Sequence, residues 1–263
     1  MNGLPSAHIR RRILRAAITA TALAIPPLVS PCSTLRAQRP GSAPLPTGAL
    51  LAGPDVSDLP LVEVPARGRD VATLAIFLTG DGGWAELDRK IAGVIADNGV
   101  GVVGLDSRAY LKQRRSPDQA AADVARVARA YTARWGARRL VLIGYSRGAT
   151  MLPFVATRLD GDLRRRTALI AMLGLERNSN FQFHWLDVVR DVSRADDLPV
   201  APELERLRGQ RMVCVYGTGE KDRTCRDADP ALIIKVQRKG DHHLGGDYRG
   251  LANVILGLLP PPP

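Results

Sequence analysis

The stretch Arg139-Leu140-Val141-Leu142-Ile143-Gly144-Tyr145-Ser146-Arg147-Gly148 decides how the chain is read. Its first five residues form a short apolar run with the length and branching of a buried strand. The segment that follows, Ala149 to Leu159, reads as a helix. Strand, Gly-x-Ser-x-Gly, helix is the context in which a serine sits on a sharp, strained turn with its hydroxyl exposed. The flanking positions must be small because strand and helix nearly touch there. The helix start then aims N–H groups at negative charge forming on an acyl oxygen. The bare pentapeptide also fits a tight glycine turn with a surface serine, so its surroundings decide.

Outward from that stretch the chain alternates between two patterns. Strands are expected at Leu59–Ala66, where Pro60 and Pro65 suggest an edge, and at Ala72–Thr79 and Val100–Leu105. Further strands are expected at Ala168–Leu173, Gln210–Tyr216 and Leu232–Gln237. Helices are expected at Trp84–Asn98, with Trp84, Leu87, Ile91, Val94 and Ile95 on one face, at Pro117–Trp135, and at Asp247–Leu259. Such alternation means an α/β fold, a mostly parallel sheet covered by helices on both faces. Chemistry in such sheets collects at the carboxyl ends of the strands. Gly80, Asp106, Ser146, Gly217 and Gly240 all stand at those ends.

A serine hydroxyl is a poor nucleophile at neutral pH. It needs a base within hydrogen-bond reach, and the base needs an orienting carboxylate. In this kind of sheet the order along the chain is serine, acid, histidine. His242 and His243 follow the last strand; His242 is the favoured base, His243 the alternate. The acid should come from Gly217-Thr218-Gly219-Glu220-Lys221-Asp222, after the preceding strand. Asp222 stands three residues after Gly219 and Glu220 three after Gly217; Asp222 is favoured, Glu220 the alternate. The oxyanion hole should draw one N–H from Arg147 and a second from Asp81 or Gly82. The Arg147 side chain has two readings, a ligand for a substrate phosphate or carboxylate, or a salt bridge.

Other chemistries find less support. The paired imidazoles lack a cysteine or carboxylate cluster to complete a metal site. Gly80-Asp81-Gly82-Gly83 lacks the Gly-Lys-Ser/Thr ending of a phosphate loop, so no nucleotide and no cofactor is expected. The net charge of +11 does not imply nucleic-acid binding, since no groove-reading motif accompanies it. Five arginines, Arg10, Arg11, Arg12, Arg15 and Arg36, precede a mature start near Gln38; the other 32 basic residues exceed the 26 acidic ones by six. A mildly basic surface suits an anionic membrane face, or is ordinary solubilising charge.

Residues 1–37 read as a signal peptide: a positive start, then an apolar run from Ala16 to Leu28 too short for a stable span. A periplasmic location follows, with an uncleaved membrane anchor as the alternative. The route is left open by Arg10-Arg11-Arg12, which has some twin-arginine character. Residues 38–58 read as a flexible linker, and 59–263 as one domain with an insertion at about 175–202. With Cys32 in the leader, Cys214 and Cys225 remain and are expected to pair in an oxidising compartment. The alternative is two buried thiols.

Several of these segments together resemble the VirJ/AcvB family of bacterial virulence-associated proteins, over roughly residues 60–259. They are Thr79-Gly80-Asp81-Gly82-Gly83-Trp84, Val103-Gly104-Leu105-Asp106-Ser107, Gly144 through Ala149, Met151-Leu152-Pro153-Phe154, Phe181-Gln182-Phe183-His184, Cys214-Val215-Tyr216-Gly217 with Cys225, and Gly240-Asp241-His242-His243. Two positions depart from the family pattern: Arg147 stands where an aromatic or other residue is usual, and Leu244 replaces a Phe. The resemblance implies an exported α/β-hydrolase fold. For AcvB-like members it implies hydrolysis of the aminoacyl ester of lysyl-phosphatidylglycerol at the membrane surface. For VirJ-like members it implies a link to type IV secretion components, so an accessory binding protein is the competing reading. In the insertion, Phe181, Phe183, Trp185, Leu186 and Val188 suggest either a lid that dips into lipid or a small cap with its aromatics packed inward.

Overall fold

The structure is a computed structural model and describes residues 53–68, 72–184 and 194–261. The leader at 1–37, most of the linker, and Trp185, Leu186 and Val188 lie outside the described residues. In chain order the elements are β1 (Leu61–Val64), β2 (Thr73–Leu78), α1 (Glu86–Asp97), β3 (Val100–Leu105), α2 (Ser107–Tyr110), α3 (Pro117–Trp135), β4 (Arg139–Tyr145), α4 (Arg147–Arg158), α5 (Gly161–Arg166) and β5 (Thr167–Leu173). Then come β6 (Asn178–Ser179), β7 (Leu198–Pro199), α6 (Ala201–Arg206), β8 (Met212–Gly217), α7 (Thr224–Asp227), β9 (Ile234–Arg238) and α8 (Tyr248–Gly257).

Seven strands form one sheet in the order β1-β3-β2-β4-β5-β8-β9. β1 runs antiparallel on the edge beside β3, and every other pairing is parallel. The central strands are buried on both faces, which is why they read as continuous apolar runs. Alternation within them still sorts the two faces. Leu74, Ile76, Leu78, Leu140 and Leu142 pack with α3 and α4. Ala75, Phe77, Val141, Ile143 and Tyr145 pack with α1 and α8. This is the α/β-hydrolase fold, with β6 and β7 forming a small antiparallel pair in the cap insertion.

Local signals account for the element ends. Ser116 and Gln119 cap the start of α3 reciprocally: the Ser116 N–H donates to Gln119 Oε1 at 2.8 Å, and the Gln119 N–H donates to Ser116 Oγ at 3.1 Å. Pro117 opens that helix, and Gly136 closes it in the left-handed conformation, φ 72°. No helix among the described residues is long and apolar enough to cross a membrane.

Two expectations need correction. Trp84 is not on the face of α1; the helix begins after Ala85, and the indole lies edge-on to Phe77 and close against Gly104. A Cβ on Gly104 would sit 2.2 Å from Trp84 Cζ3, so the glycine in β3 makes room for the ring. The linker also ends earlier than expected. From Gly53 onward the chain lies against α3: Arg126 donates to the Asp55 carbonyl at 3.0 Å and pairs with Asp58. A turn with one apolar residue, Val56, carries no periodicity that would betray this docking.

Candidate active site

Ser146 occupies the turn between β4 and α4 with φ 53° and ψ −117°, a conformation a non-glycine residue adopts only when its surroundings impose it. The surroundings do so. The Ser146 N–H donates to the Leu173 carbonyl at 2.8 Å, and the Gly148 N–H donates to the Thr79 carbonyl at 3.1 Å. A Cβ on Gly148 would meet the Leu78 carbonyl oxygen at 2.0 Å, so only glycine lets α4 start this close to β2. The turn therefore projects the hydroxyl beyond the carboxyl end of the sheet.

His242 reaches that hydroxyl from the loop after β9. Its Nε2 lies 2.8 Å from Ser146 Oγ. Its Nδ1 lies 2.6 Å from Glu220 Oε1. A carboxylate can only accept, so Nδ1 carries the proton and Nε2 presents its lone pair to the serine hydroxyl. The ring rests beside Gly174, the residue after β5: a Cβ there would stand 2.8 Å from His242 Cε1. Burial pushes the imidazole down, but the Glu220 hydrogen bond and the charges of Glu176, Glu220 and Asp241 outweigh it, so His242 titrates above its ordinary value.

The acid beside His242 is Glu220, not Asp222. Glu220 is held by a turn: its N–H donates to the Gly217 carbonyl at 3.2 Å, and its Oε2 accepts the Gly217 N–H at 3.1 Å. Its side chain is buried. Asp222 is occupied elsewhere, with Oδ2 accepting the Arg177 N–H at 3.1 Å and Oδ1 accepting the Thr224 N–H at 2.7 Å. The two candidates stand equally far from a glycine in sequence, and only the turn at Gly217 aims one of them at the histidine. A disulfide joins Cys214 in β8 to Cys225 in α7 and closes this loop.

His243 is turned away. Its Nδ1 lies 3.2 Å from the Tyr145 hydroxyl, and its ring is exposed. Asp81 and Gly82 line the same cleft as Ser146 and Arg147, in a turn closed by the Gly83 N–H donating to the Gly80 carbonyl at 3.0 Å. The Arg147 side chain forms a two-pronged ion pair with Asp81, Nε to Oδ1 at 3.0 Å and Nη2 to Oδ2 at 3.1 Å. Its Nη1 donates to the Asn180 carbonyl at 3.2 Å. Sequence reasoning missed both partners. The signal for Asp81 was opposite charge on two loops bound for one sheet edge; nothing in the sequence marks Asn180.

The cleft measures about 1070 Å³. Its walls carry both signs of charge, with Glu86, Asp88 and Glu176 on one hand and Arg177, Arg194 and Lys221 on the other. Asp88 is buried, and one oxygen accepts the Ala85 N–H at 3.0 Å. Burial pushes its carboxyl up to about 6, and Asp106 adds to the rise. From the insertion, Phe181 is buried edge-on against Phe154, with ring centroids 5.6 Å apart, and Phe183 packs on the core beneath Arg108. Those two aromatics point inward.

A family model described as bacterial virulence protein (VirJ) matches residues 72–260. Among solved structures, Est1E from Butyrivibrio proteoclasticus superposes with a TM-score of 0.54 at 10% identity, covering 78% of this chain and 97% of its own. An alpha-beta serine hydrolase homologue from Coxiella burnetii gives 0.54 at 14% identity, covering 76% and 91%. A thioesterase domain from the curacin biosynthetic pathway gives 0.52 at 14% identity, covering 74% and 94%. At these identities the likeness concerns the fold. No curated protein matches the sequence closely enough to count as a relative.

Proposed function

The chain belongs to the VirJ family of bacterial virulence proteins, and from that premise we propose that it is an exported serine hydrolase of carboxyl esters. The reading rests on one observation, the unbroken relay from Ser146 Oγ to His242 Nε2 at 2.8 Å and from His242 Nδ1 to Glu220 Oε1 at 2.6 Å. Ser146 attacks the ester carbonyl while His242 takes its proton. Glu220 keeps the imidazole in the required tautomer and stabilises the imidazolium. The oxyanion takes N–H donors from Arg147, at the first position of α4, and from the turn at Asp81 and Gly82. His242 then returns the proton to the departing alcohol. Water, activated by the same histidine, releases the acid and restores Ser146.

The substrate we favour is the aminoacyl ester of lysyl-phosphatidylglycerol. Attack would release lysine and leave the anionic lipid. A cleft with both signs of charge suits an ester with a phosphate on its alcohol side and ammonium groups on its acyl side. A periplasmic site of action is supported by the Cys214–Cys225 disulfide.

Fluorophosphonate labelling tests the chemistry. Wild type should label, and Ser146→Ala should not. Lipid analysis of a deletion strain tests the substrate: lysyl-phosphatidylglycerol should accumulate and be cleared by wild type but not by Ser146→Ala. A wild-type protein that resists labelling yet binds a type IV secretion component would replace the enzyme with an accessory binding protein.

A further inference from the structure

The two segments that would supply the oxyanion donors are far apart in sequence; a backbone hydrogen bond from the Gly148 N–H to the Thr79 carbonyl ties them at their base, and a side-chain ion pair ties them a second time. The turn Gly80-Asp81-Gly82-Gly83 has one residue with any side chain beyond hydrogen. Glycines let the backbone come close to a substrate, but they leave the turn nothing to be gripped by. Asp81 is its one side-chain handle, and Arg147 holds it with two hydrogen bonds of 3.0 and 3.1 Å. The Arg147 side chain is 10% exposed and that of Asp81 20%, so water screens the pair weakly. A planar guanidinium fork loses little freedom in such a pairing and fixes both distance and angle. The third prong, Nη1 to the Asn180 carbonyl at 3.2 Å, extends the grip to the insertion. Asn180 is itself buried, and its amide donates to Asp197 at 2.9 Å and to Asp196 at 3.3 Å.

We propose that the Arg147 side chain is a positioning residue that sets the oxyanion turn against the nucleophile, through Asp81, rather than a ligand for the substrate's phosphate. The reasoning is geometric. An oxyanion hole works only when its donors stand about 2.7–3.1 Å from the oxygen as it becomes charged. One donor belongs to Arg147 itself. The second belongs to a turn with a single side chain, and that side chain is tied to Arg147. The ion pair thus adds to the Gly148–Thr79 hydrogen bond in setting the spacing between the donors, while Ser146 and His242 are aligned by other contacts: the Leu173 carbonyl, Gly174 and Glu220.

This inference rests on the hydrolase reading above, and the experiment separates the two. The full-length protein, with Arg147→Met, Asp81→Asn and the double variant, is assayed on 4-nitrophenyl butyrate and on a phosphate-bearing 4-nitrophenyl ester, and titrated with butylboronic acid. Each single variant should lower kcat on both esters by about 10–100-fold and leave KM within about twofold, as expected for a misplaced donor. Boronate affinity, which reports the tetrahedral adduct, should fall by a similar factor. The double variant should be no worse than the poorer single one, because both remove one tie. The acid limb of the pH profile, which reports His242, should stay in place. Unchanged kcat in both single variants overturns the proposal. So do effects that multiply, or a KM that rises on the phosphate-bearing ester alone, which would make Arg147 a substrate ligand. Asp81→Asn, nearly isosteric, decides the matter if Arg147→Met does not fold. A wild type that hydrolyses neither ester and takes no fluorophosphonate sinks the hydrolase reading itself.

Discussion

Glu220 and His242 meet at 2.6 Å, Oε1 to Nδ1, while Asp222, two residues further on, gives both oxygens to backbone amides. One short loop thus holds two carboxylates in different employment. Removing the negative charge should separate them. Glu220→Gln should lower kcat by about 10²–10⁴-fold, the range seen when the orienting acid of such a relay is lost. Asp222→Asn keeps one of its two acceptors and loses a backbone contact away from His242, so activity should stay within about fivefold. Steady-state rates on a chromogenic ester decide it, and the reverse order would restore Asp222 as the acid.

His242 titrates above its ordinary value because Glu220, Glu176 and Asp241 outweigh its burial. On the proposed mechanism it must be neutral to accept the serine proton. The rate kcat/KM should therefore rise with pH through an apparent value above about 6.5. Glu220→Gln removes one of those charges, so the residual activity should rise at lower pH than in wild type. His243→Asn should leave the profile where it is, since that ring bonds Tyr145 instead. A profile moved by His243→Asn and not by Glu220→Gln would reverse the assignment.

Asp88 offers a stability test with an unusual sign. Its carboxyl is raised from 3.8 to about 6, chiefly by burial, with the Ala85 hydrogen bond opposing, Asp106 adding and Arg89 opposing more weakly. The folded state binds this proton more tightly than the unfolded chain does. The stability it confers is complete below about pH 4 and is lost as pH rises through 6. Asp88→Asn removes the buried charge and keeps an acceptor for the Ala85 N–H. Urea unfolding should find the variant more stable by about 1–2 kcal/mol at pH 8, with no advantage at pH 4. A variant less stable than wild type at pH 8 would refute this.

The Cys214–Cys225 bridge closes a loop with a sequence separation of 11. Replacing both cysteines by serine should lower unfolding stability by about 2–3 kcal/mol on the loop-entropy account. The loss should equal that caused by reduction of wild type. Equal stability of the oxidised and reduced proteins would deny the bridge that role.

Much of this architecture can be read from the chain because buried parallel strands announce themselves. Val141 to Ile143 and Leu74 to Leu78 are apolar on both faces, and a glycine-flanked serine after one of them leaves few alternatives. Ser146 and His242 were legible for that reason. Glu220 was legible only as the alternate to Asp222, because acid placement depends on the turn at Gly217, and two carboxylates satisfied the same spacing rule. Trp84 read as helical because its spacing to Leu87 and Ile91 fits a helix, but the hollow beside Gly104 claims the ring. The hold of Arg147 on Asp81 needed coordinates, since it joins residues 66 positions apart.

The backbone at Ser146, with φ 53°, suits glycine better than serine. Ser146→Gly should therefore melt at a higher temperature than Ser146→Ala, since both lack the hydroxyl and only one is relieved of the contortion, a difference on the order of 1 kcal/mol. The molecule would rest more comfortably without the serine proposed as its nucleophile. Selection for ruggedness alone would favour glycine here, so the strain at Ser146 is one that only chemistry at this position would justify.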